Sequence, residues 1–194
     1  STLASSSAAS DVYKRQAFLK AWASLEQGAP HPRPLTRADE SEGEGMAHRA
    51  LEQLPDNILI DWLRIATDRR MGAVIEAFRR GWTIERVHEI TRITRWFLYG
   101  FQRIAGIENE IVARGCSPNE ITASEFRKWK SYGFSDGHIA DALSGFPATG
   151  LKGISASRNE QAVMSARHRH VVHPIFRMVD SCAAEFAAKT PYYY

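Results

Sequence analysis

The chain has 194 residues, of which 44% are hydrophobic and 24% charged, and its net charge is +3 at pH 7. These values are typical of one globular domain or of pieces of neighbouring domains, and so small a charge does not indicate a nucleic-acid-binding surface. No run of about 18 apolar residues predicts a membrane helix, and the N-terminus lacks the apolar core of a signal peptide.

The beginning of the chain divides into a tail and a short helix. Residues 1–16 are expected to be a disordered tail. The hexapeptide DVYKRQ at residues 11–16 resembles a translated sequencing adapter, which would make the tail foreign to the natural protein; a plain polar tail is the alternative. Residues 17–27 have helical spacing. The apolar residues on one side of that helix are Phe18, Trp22 and Leu25.

A linker and two helices are predicted next. Residues 28–45 combine prolines with an acidic run, which is typical of a linker. Residues 46–65 return to helical spacing, and after a break at Pro55 the apolar stripe is Ile58, Trp62 and Ile65. Residues 68–80 form the following helix. Its inward residues are expected to be Met71, Val74, Ile75 and Phe78.

The stretch from residue 81 to residue 115 predicts two helices with defined ends. Gly81 follows a basic run, as expected for a left-handed residue after a helix, and Thr83 can cap the next helix. Thr94 can cap a longer helix that ends at Gly115. Gly106 inside that helix lowers helix stability by about 1 kcal/mol relative to Ala, a loss that is tolerable if a neighbouring element packs closely against it. One face of the first helix carries Ile84, Val87, His88 and Thr91, and the stripe of the second is Phe97, Phe101, Ile104, Ile107 and Ile111.

A helix corner is predicted twice. Gly81-Trp82-Thr83 is echoed 52 residues later by Gly133-Phe134-Ser135, and each set is followed by an apolar helix. The pattern predicts a tight turn in which the aromatic residue fills the angle between two helices, and it suggests two similar helical lobes. Before the second corner, Thr122 and Glu125 form a capping box, and Phe126 and Trp129 lie on the buried face.

The C-terminal part is predicted to contain a loop, a helix and a strand. Residues 145–155 form the loop, and Ser157 with Glu160 makes a second capping box that opens the helix. His173-Pro174 ends the helix, and residues 175–179 have the composition of a strand. Val163 and Ala166 are expected to face inward.

No residue is assigned to catalysis, to a cofactor or to a metal. His168 and His170 point to different sides of a helix, so the cluster they form with His173 indicates a polar helix end instead of a metal site. Cys182 has no neighbouring base and is expected to be a packing thiol. Cys116 and Cys182 form no CxxC pair, which favours a reduced compartment; a single disulfide is the alternative. No Walker or GxGxxG motif predicts a nucleotide site.

Several motifs carry a resemblance to a known family. EAFRRG, VHEIT and the triplet Trp96-Phe97-Leu98 resemble the start of the helical oligomerisation domain of the large subunit of glutamine-hydrolysing carbamoyl-phosphate synthetase. VDSCAAEF, near the C-terminus, resembles the entrance to the second ATP-grasp half of the same subunit, with Ser181 in place of the family's Thr. The loop at residues 145–155 is an insertion relative to the family, and its role is open.

The resemblance implies a fold and a division of the chain. The fold is all-α, a two-lobed helical oligomerisation domain with a short extended segment at the C-terminus. Residues 17–27 would be the last helix of the preceding ATP-grasp half, residues 28–172 the linker and oligomerisation domain, and residues 173–194 the truncated start of the second half. Trp82, Trp96, Phe97, Phe126, Trp129 and Phe134 are expected to be packing anchors.

The resemblance also implies a function. The parent enzyme makes carbamoyl phosphate from bicarbonate, glutamine-derived ammonia and ATP, for arginine and pyrimidine synthesis, with Mg or Mn as the metal. This fragment would be a non-catalytic cytoplasmic spacer that contacts other large subunits and the flanking ATP-grasp domains. The small glutaminase subunit would belong to the same enzyme. Neither nucleic acid nor a membrane is expected as a partner. The alternative is a free-standing helical binding module, in which the helices at residues 135–143 and 157–170 would form a helix-turn-helix pair for DNA.

Overall fold

The structure, a computed structural model, describes residues 15–22, 55–67, 69–145, 154–174, 178–179 and 192–193. Apart from two short strands, the regular secondary structure of these residues is helical, which confirms the predicted all-α fold. The predicted linker at residues 28–45, residues 146–153 of the predicted loop at residues 145–155, and Cys182 lie outside the described residues, whereas Ile154 and Ser155 of that loop are helical.

The elements follow the predicted order, with shifted boundaries. Helix α1 covers residues 15–22 and therefore includes Arg15 and Gln16, which were predicted to belong to the tail. The other elements are α2 (Asp56–Arg64), α3 (Arg69–Arg79), α4 (Ile84–Thr91), α5 (Arg95–Arg114), a 3-10 turn (Pro118–Glu120), α6 (Ala123–Ser131), α7 (Asp136–Leu143), α8 (Ile154–Arg169), β1 (Met178–Val179) and β2 (Tyr192–Tyr193).

The predicted strand at residues 175–179 is described only at its last two residues. Both belong to β1, which pairs antiparallel with β2. Met178 lies opposite Tyr193, and Val179 lies opposite Tyr192. This short pairing is a minor addition to a helical fold.

The long helix α5 is the axis of the molecule. Helices α3 and α4 pack against it, and α2 packs against both of them. Towards the other end, α7 contacts α5 and α8 covers α7. The two lobes, α2 to α4 and α6 to α8, therefore share α5 as their common support.

The two predicted helix corners have the same backbone hydrogen bonds. After α3, the N–H of Trp82 donates to the carbonyl of Ala77 at 3.0 Å, and Gly81 has φ of 78°. After α6, the N–H of Phe134 donates to the carbonyl of Trp129 at 3.3 Å, and Gly133 has φ of 96°. These are the six-residue bonds of the Schellman motif, so the repeat predicted from the sequence is confirmed as a repeated turn geometry.

The hydroxyl caps differ between the helix starts. Thr83 accepts from the N–H of Arg86, and Ser135 accepts from the N–H of His138, both as predicted. The capping box of Thr122 and Glu125 is also confirmed. Thr94 occupies the cap position of α5, but its side chain makes no capping bond, so that prediction is wrong in its chemistry.

Two further predictions are wrong, and one condition is not met. In α2 the buried residues are Leu59 and Leu63, whereas Ile58 and Ile65 are exposed. The second capping box does not open α8, because the helix begins at Ile154 and Ser157 lies inside it. The condition stated for Gly106, close packing by a neighbouring element, is not met, since a Cβ built there would meet no atom within 4 Å.

The predicted inward faces of α3 and α8 are confirmed. In α3, Val74, Ile75 and Phe78 are buried and Met71 is half-buried against the core. In α8, Val163 and Ala166 are buried. A third Schellman turn ends α8, where Val171 takes the left-handed position with φ of 55°.

Candidate interaction surface

Most of the predicted aromatic anchors are buried. Phe126, Trp129 and Phe134 are fully enclosed, and Trp82 is nearly so. The indole N–H of Trp129 donates to the carboxylate of Glu110 at 3.2 Å, so burial leaves its polar atom satisfied. These four residues are packing anchors, as predicted.

Trp96 and Phe97 are not anchors within the described residues. Trp96 is 44% exposed and Phe97 is 53% exposed, so the core of the described residues does not enclose these two predicted anchors. Their rings contact each other edge to face, with centroids 4.7 Å apart. The first turn of α5 therefore presents two large aromatic side chains to solvent.

The exposure of Phe97 has a geometric cause. Phe97 and Ile104 are seven residues apart, so they point in nearly the same direction from α5. Ile104 is only 1% exposed because neighbouring helices cover it. The apolar stripe of α5 thus continues into its first turn, beyond the elements that cover the rest of the stripe.

Helix α1 and the start of α5 enclose an apolar groove of about 300 Å³. The ring of Phe18 forms one wall and contacts the ring of Phe101, with centroids 4.9 Å apart. The other lining residues are Arg15, Ala17, Trp96, Phe97, Gly100 and Ile104.

Helix α1 is fixed to the second lobe by specific contacts. The side-chain amide of Gln16 donates to the carbonyl of Ser131 at 3.0 Å. The guanidinium of Arg15 lies 4.9 Å from the centre of the Tyr132 ring. A Cβ at Gly133 would lie 3.0 Å from the Cα of Gln16, so the glycine also permits this close approach. The groove is therefore bounded by an anchored helix.

A buried charge cluster joins the two lobes. Glu108 of α5 is 0% exposed. Its carboxylate accepts from Nε of Arg79 at 2.7 Å and lies 2.8 Å from Nε2 of His138. Arg79 belongs to α3 and His138 to α7, so one carboxylate connects both lobes to α5.

The electrostatics of the cluster fix its protonation. Burial by itself would raise the pKa of Glu108, but the charge of Arg79 and the hydrogen bond from His138 outweigh it and lower the pKa to about 2. Because the ionised carboxylate can only accept hydrogen bonds, Nε2 of His138 must carry a proton. Burial likewise opposes the charge of Arg79, yet Glu108 and Glu76 together raise the pKa of the guanidinium.

A second polar cluster joins α7 to α8. Arg167 donates through Nε and Nη2 to the carboxylate of Asp136, at 3.1 and 2.9 Å, and Lys130 donates to the same carboxylate at 3.0 Å. Burial would raise the pKa of Asp136, but the Arg167 hydrogen bond and the Lys130 charge lower it. Arg167 also donates to the carbonyl of Val172 at 2.7 Å, which holds the end of α8.

Sequence reasoning missed both clusters. Glu108 lies at an apolar position of α5, between Ile104 and Ile111, and that placement was the available signal. Arg167 directly precedes the histidines that were assigned to a polar helix end, and its position four residues from the buried Val163 was the available signal. In both cases the partner is about thirty residues away in the chain.

The residues weighed for metal or thiol chemistry are placed as follows. The rings of His168 and His173 are tilted, with centroids 5.7 Å apart. Across the described residues, no three His, Cys, Asp or Glu side chains converge as a metal site. Cys116 is a half-buried free thiol whose pKa is raised, chiefly by burial.

The family description "Carbamoyl-phosphate synthetase large chain, oligomerisation domain" matches residues 13–170. That stretch is well over half of the chain. The chain belongs to this family. The resemblance stated from the sequence motifs is therefore confirmed, and the fold described above is the fold of a member of that family.

Similar proteins carry the same name. The arginine-specific large chain of carbamoyl phosphate synthase from Halalkalibacterium halodurans is 39% identical over 158 residues, covering 81% of this chain and 14% of that protein. The large chain, N-terminal section, of Aquifex aeolicus is 39% identical over 127 residues, covering 66% of this chain and 20% of that protein. The large chain of Thermotoga neapolitana is 33% identical over 158 residues, covering 79% and 13%.

The chain spans between 13 and 20% of the length of these relatives. None of these three names refers to DNA, so they give no support to the helix-turn-helix alternative. In the described part of the chain, no helix combines the length and the apolar character that crossing a membrane requires.

Proposed function

We propose that this chain is the non-catalytic oligomerisation and spacer region of a glutamine-hydrolysing carbamoyl phosphate synthase large chain. The complete enzyme would make carbamoyl phosphate from bicarbonate, glutamine-derived ammonia and ATP, and would serve arginine and pyrimidine synthesis. The family match over residues 13–170 is the observation that carries this proposal.

The construction of the domain supports the role of a spacer. Two lobes share the single helix α5, and Glu108 ties them to it through buried hydrogen bonds with Arg79 of α3 and with His138 of α7. Breaking such a buried pair is strongly unfavourable, so the lobes keep one relative position. A rigid body of this kind suits the separation of catalytic neighbours.

The proposed partners are other large subunits and the flanking ATP-grasp domains, with the small glutaminase subunit elsewhere in the same cytoplasmic enzyme. ATP and Mg or Mn belong to the parent enzyme. The apolar groove between α1 and α5 does not fit these ligands, because its lining offers a single cationic side chain and no carboxylate. No step of the reaction is assigned to residues of this region.

The proposal is tested with the purified chain in two assays. Bicarbonate-dependent hydrolysis of ATP should be absent, and sedimentation should show self-association or the chain should bind an apolar dye through its exposed aromatic residues. Hydrolysis of ATP that rises with bicarbonate would contradict the proposal. DNA binding that weakens steeply with salt would favour the helical binding module instead.

A further inference from the structure

We propose that the groove between α1 and α5 is the binding site for the preceding part of the large chain, which inserts into it an apolar segment flanked by carboxylates. This inference rests on the proposed function and names a partner for one surface of the domain. It begins from Trp96 and Phe97, whose rings are about half exposed although Phe97 points in the same direction as the buried Ile104.

The groove has the properties of an interface that lacks its other half. A groove of about 300 Å³ lined almost wholly by apolar side chains is unfavourable in water, and such patches usually mark binding sites. The backbone beneath is already ordered, since α1 is fixed at Ser131 by Gln16. A partner would therefore bind to a surface that needs little rearrangement.

The position of the groove favours the preceding part of the chain over a second copy. One wall is α1, which lies at the start of the family match at residue 13. The relatives are about five to eight times longer than the stretch they share with this chain. A segment joined to α1 is held beside the groove at a high effective concentration, so even a modest apolar contact would be occupied.

The charges along α5 indicate the chemistry of the partner. Before Glu108, the helix carries no acidic residue, whereas Arg103 is exposed and so is Arg95, which lies 3.7 Å from the carboxylate of Glu85 in α4. Arg103 is seven residues from Trp96 and therefore projects beside it, two turns further along the helix. An apolar segment with carboxylates at its edge would complement both the groove and this cationic border.

The test places residues 13–170 in the large chain of Halalkalibacterium halodurans, in exchange for the corresponding stretch. Hydroxyl-radical labelling then measures how accessible individual side chains are. Trp96 and Phe97 should be labelled severalfold more slowly in the chimera than in the isolated chain, and Tyr99, which does not line the groove, should change little. Arg103→Glu in the chimera should restore labelling of both rings, whereas the control Arg127→Glu, on exposed α6 surface, should not.

Two results would overturn the inference. Equal labelling of Trp96 and Phe97 in the chimera and in the isolated chain would show that nothing covers them. A second measurement needs no chimera: the isolated chain and its Trp96→Ser/Phe97→Ser variant should sediment with the same mass, and dissociation caused by the variant would assign the groove to a second copy. Carbamoyl phosphate synthesis by the chimera tests the proposed function separately, so failure of one claim is distinguishable from failure of the other.

Discussion

The substitution Glu108→Gln tests whether the buried charge cluster holds the lobes together. Glu108 is fully buried, and its pKa falls from an ordinary value of 4.5 to about 2. At about 1.4 kcal/mol per pH unit, this shift corresponds to roughly 3 kcal/mol of stability from the ionised carboxylate. Removing the charge leaves Arg79 with Glu76, which is 3.4 Å away, as its remaining carboxylate partner in α3. We therefore expect the variant to be about 2–4 kcal/mol less stable at pH 7.

The pH dependence of the free energy of unfolding is a second test of the charge cluster. Because folding lowers the pKa of Glu108, its stabilisation is present above about pH 4.5 and is lost as the pH falls towards 2. The difference in free energy of unfolding between wild type and Glu108→Gln should accordingly shrink on acidification. Urea unfolding followed by circular dichroism at pH 7 and at pH 3 measures it.

A matched control separates burial from charge. Glu85 is exposed and lies 3.7 Å from Arg95, so Glu85→Gln should cost less than about 1 kcal/mol at either pH. Equal costs for the two variants at pH 7 would refute the structural argument. So would a Glu108→Gln difference that stays constant between pH 7 and pH 3.

Three further predictions concern stability and use urea unfolding at pH 7. Gly106→Ala should stabilise the chain by about 0.5–1 kcal/mol, because the added Cβ meets no atom within 4 Å. Gly133→Ala should instead destabilise the chain by at least about 1–2 kcal/mol, because Gly133 has a positive φ and the added Cβ would lie close to the Cα of Gln16. Ser135→Ala should cost about 1 kcal/mol, and Thr94→Ala should cost clearly less, because only Ser135 makes a capping bond; equal losses would contradict the assigned caps. Asp136→Asn should cost about 1–3 kcal/mol and loosen α8, seen as faster hydrogen exchange there, while unchanged exchange would argue against the Arg167 bond as the link between α7 and α8.

The helix corners were predictable because their signals are local. A glycine at the left-handed position and a hydroxyl residue two positions later specify the end of one helix and the start of the next. Both copies of this pattern, at Gly81 and at Gly133, fold as predicted. The same local rule failed at Thr94, whose hydroxyl makes no capping bond, and at Ser157, which lies inside α8.

The burial of α2 was not predictable from spacing alone. Apolar residues occupy most positions between residues 58 and 65, so more than one stripe has helical spacing. Packing against α3 and α4 selected Leu59 and Leu63. Periodicity identifies a helix in such a segment, but the neighbouring helices decide which face they cover.

The candidate surface and the charge clusters depend on contacts distant in sequence. Nothing near Phe97 shows that its face of the first turn of α5 stays partly uncovered while Leu98 in the same turn is buried, and so its exposure was missed. Likewise, no local pattern pairs Glu108 with Arg79 or Asp136 with Arg167. The sequence predicted the helices and the family, and the tertiary structure showed which side chains remain exposed.

The central claim is that this region is the spacer of a larger synthase. The most direct test measures carbamoyl phosphate synthesis by the Halalkalibacterium halodurans chimera that carries residues 13–170. Our account predicts synthesis with both ATP and bicarbonate required, and loss of synthesis when the region is deleted. A chimera that folds and keeps the mass of its host, yet makes no carbamoyl phosphate, would contradict it.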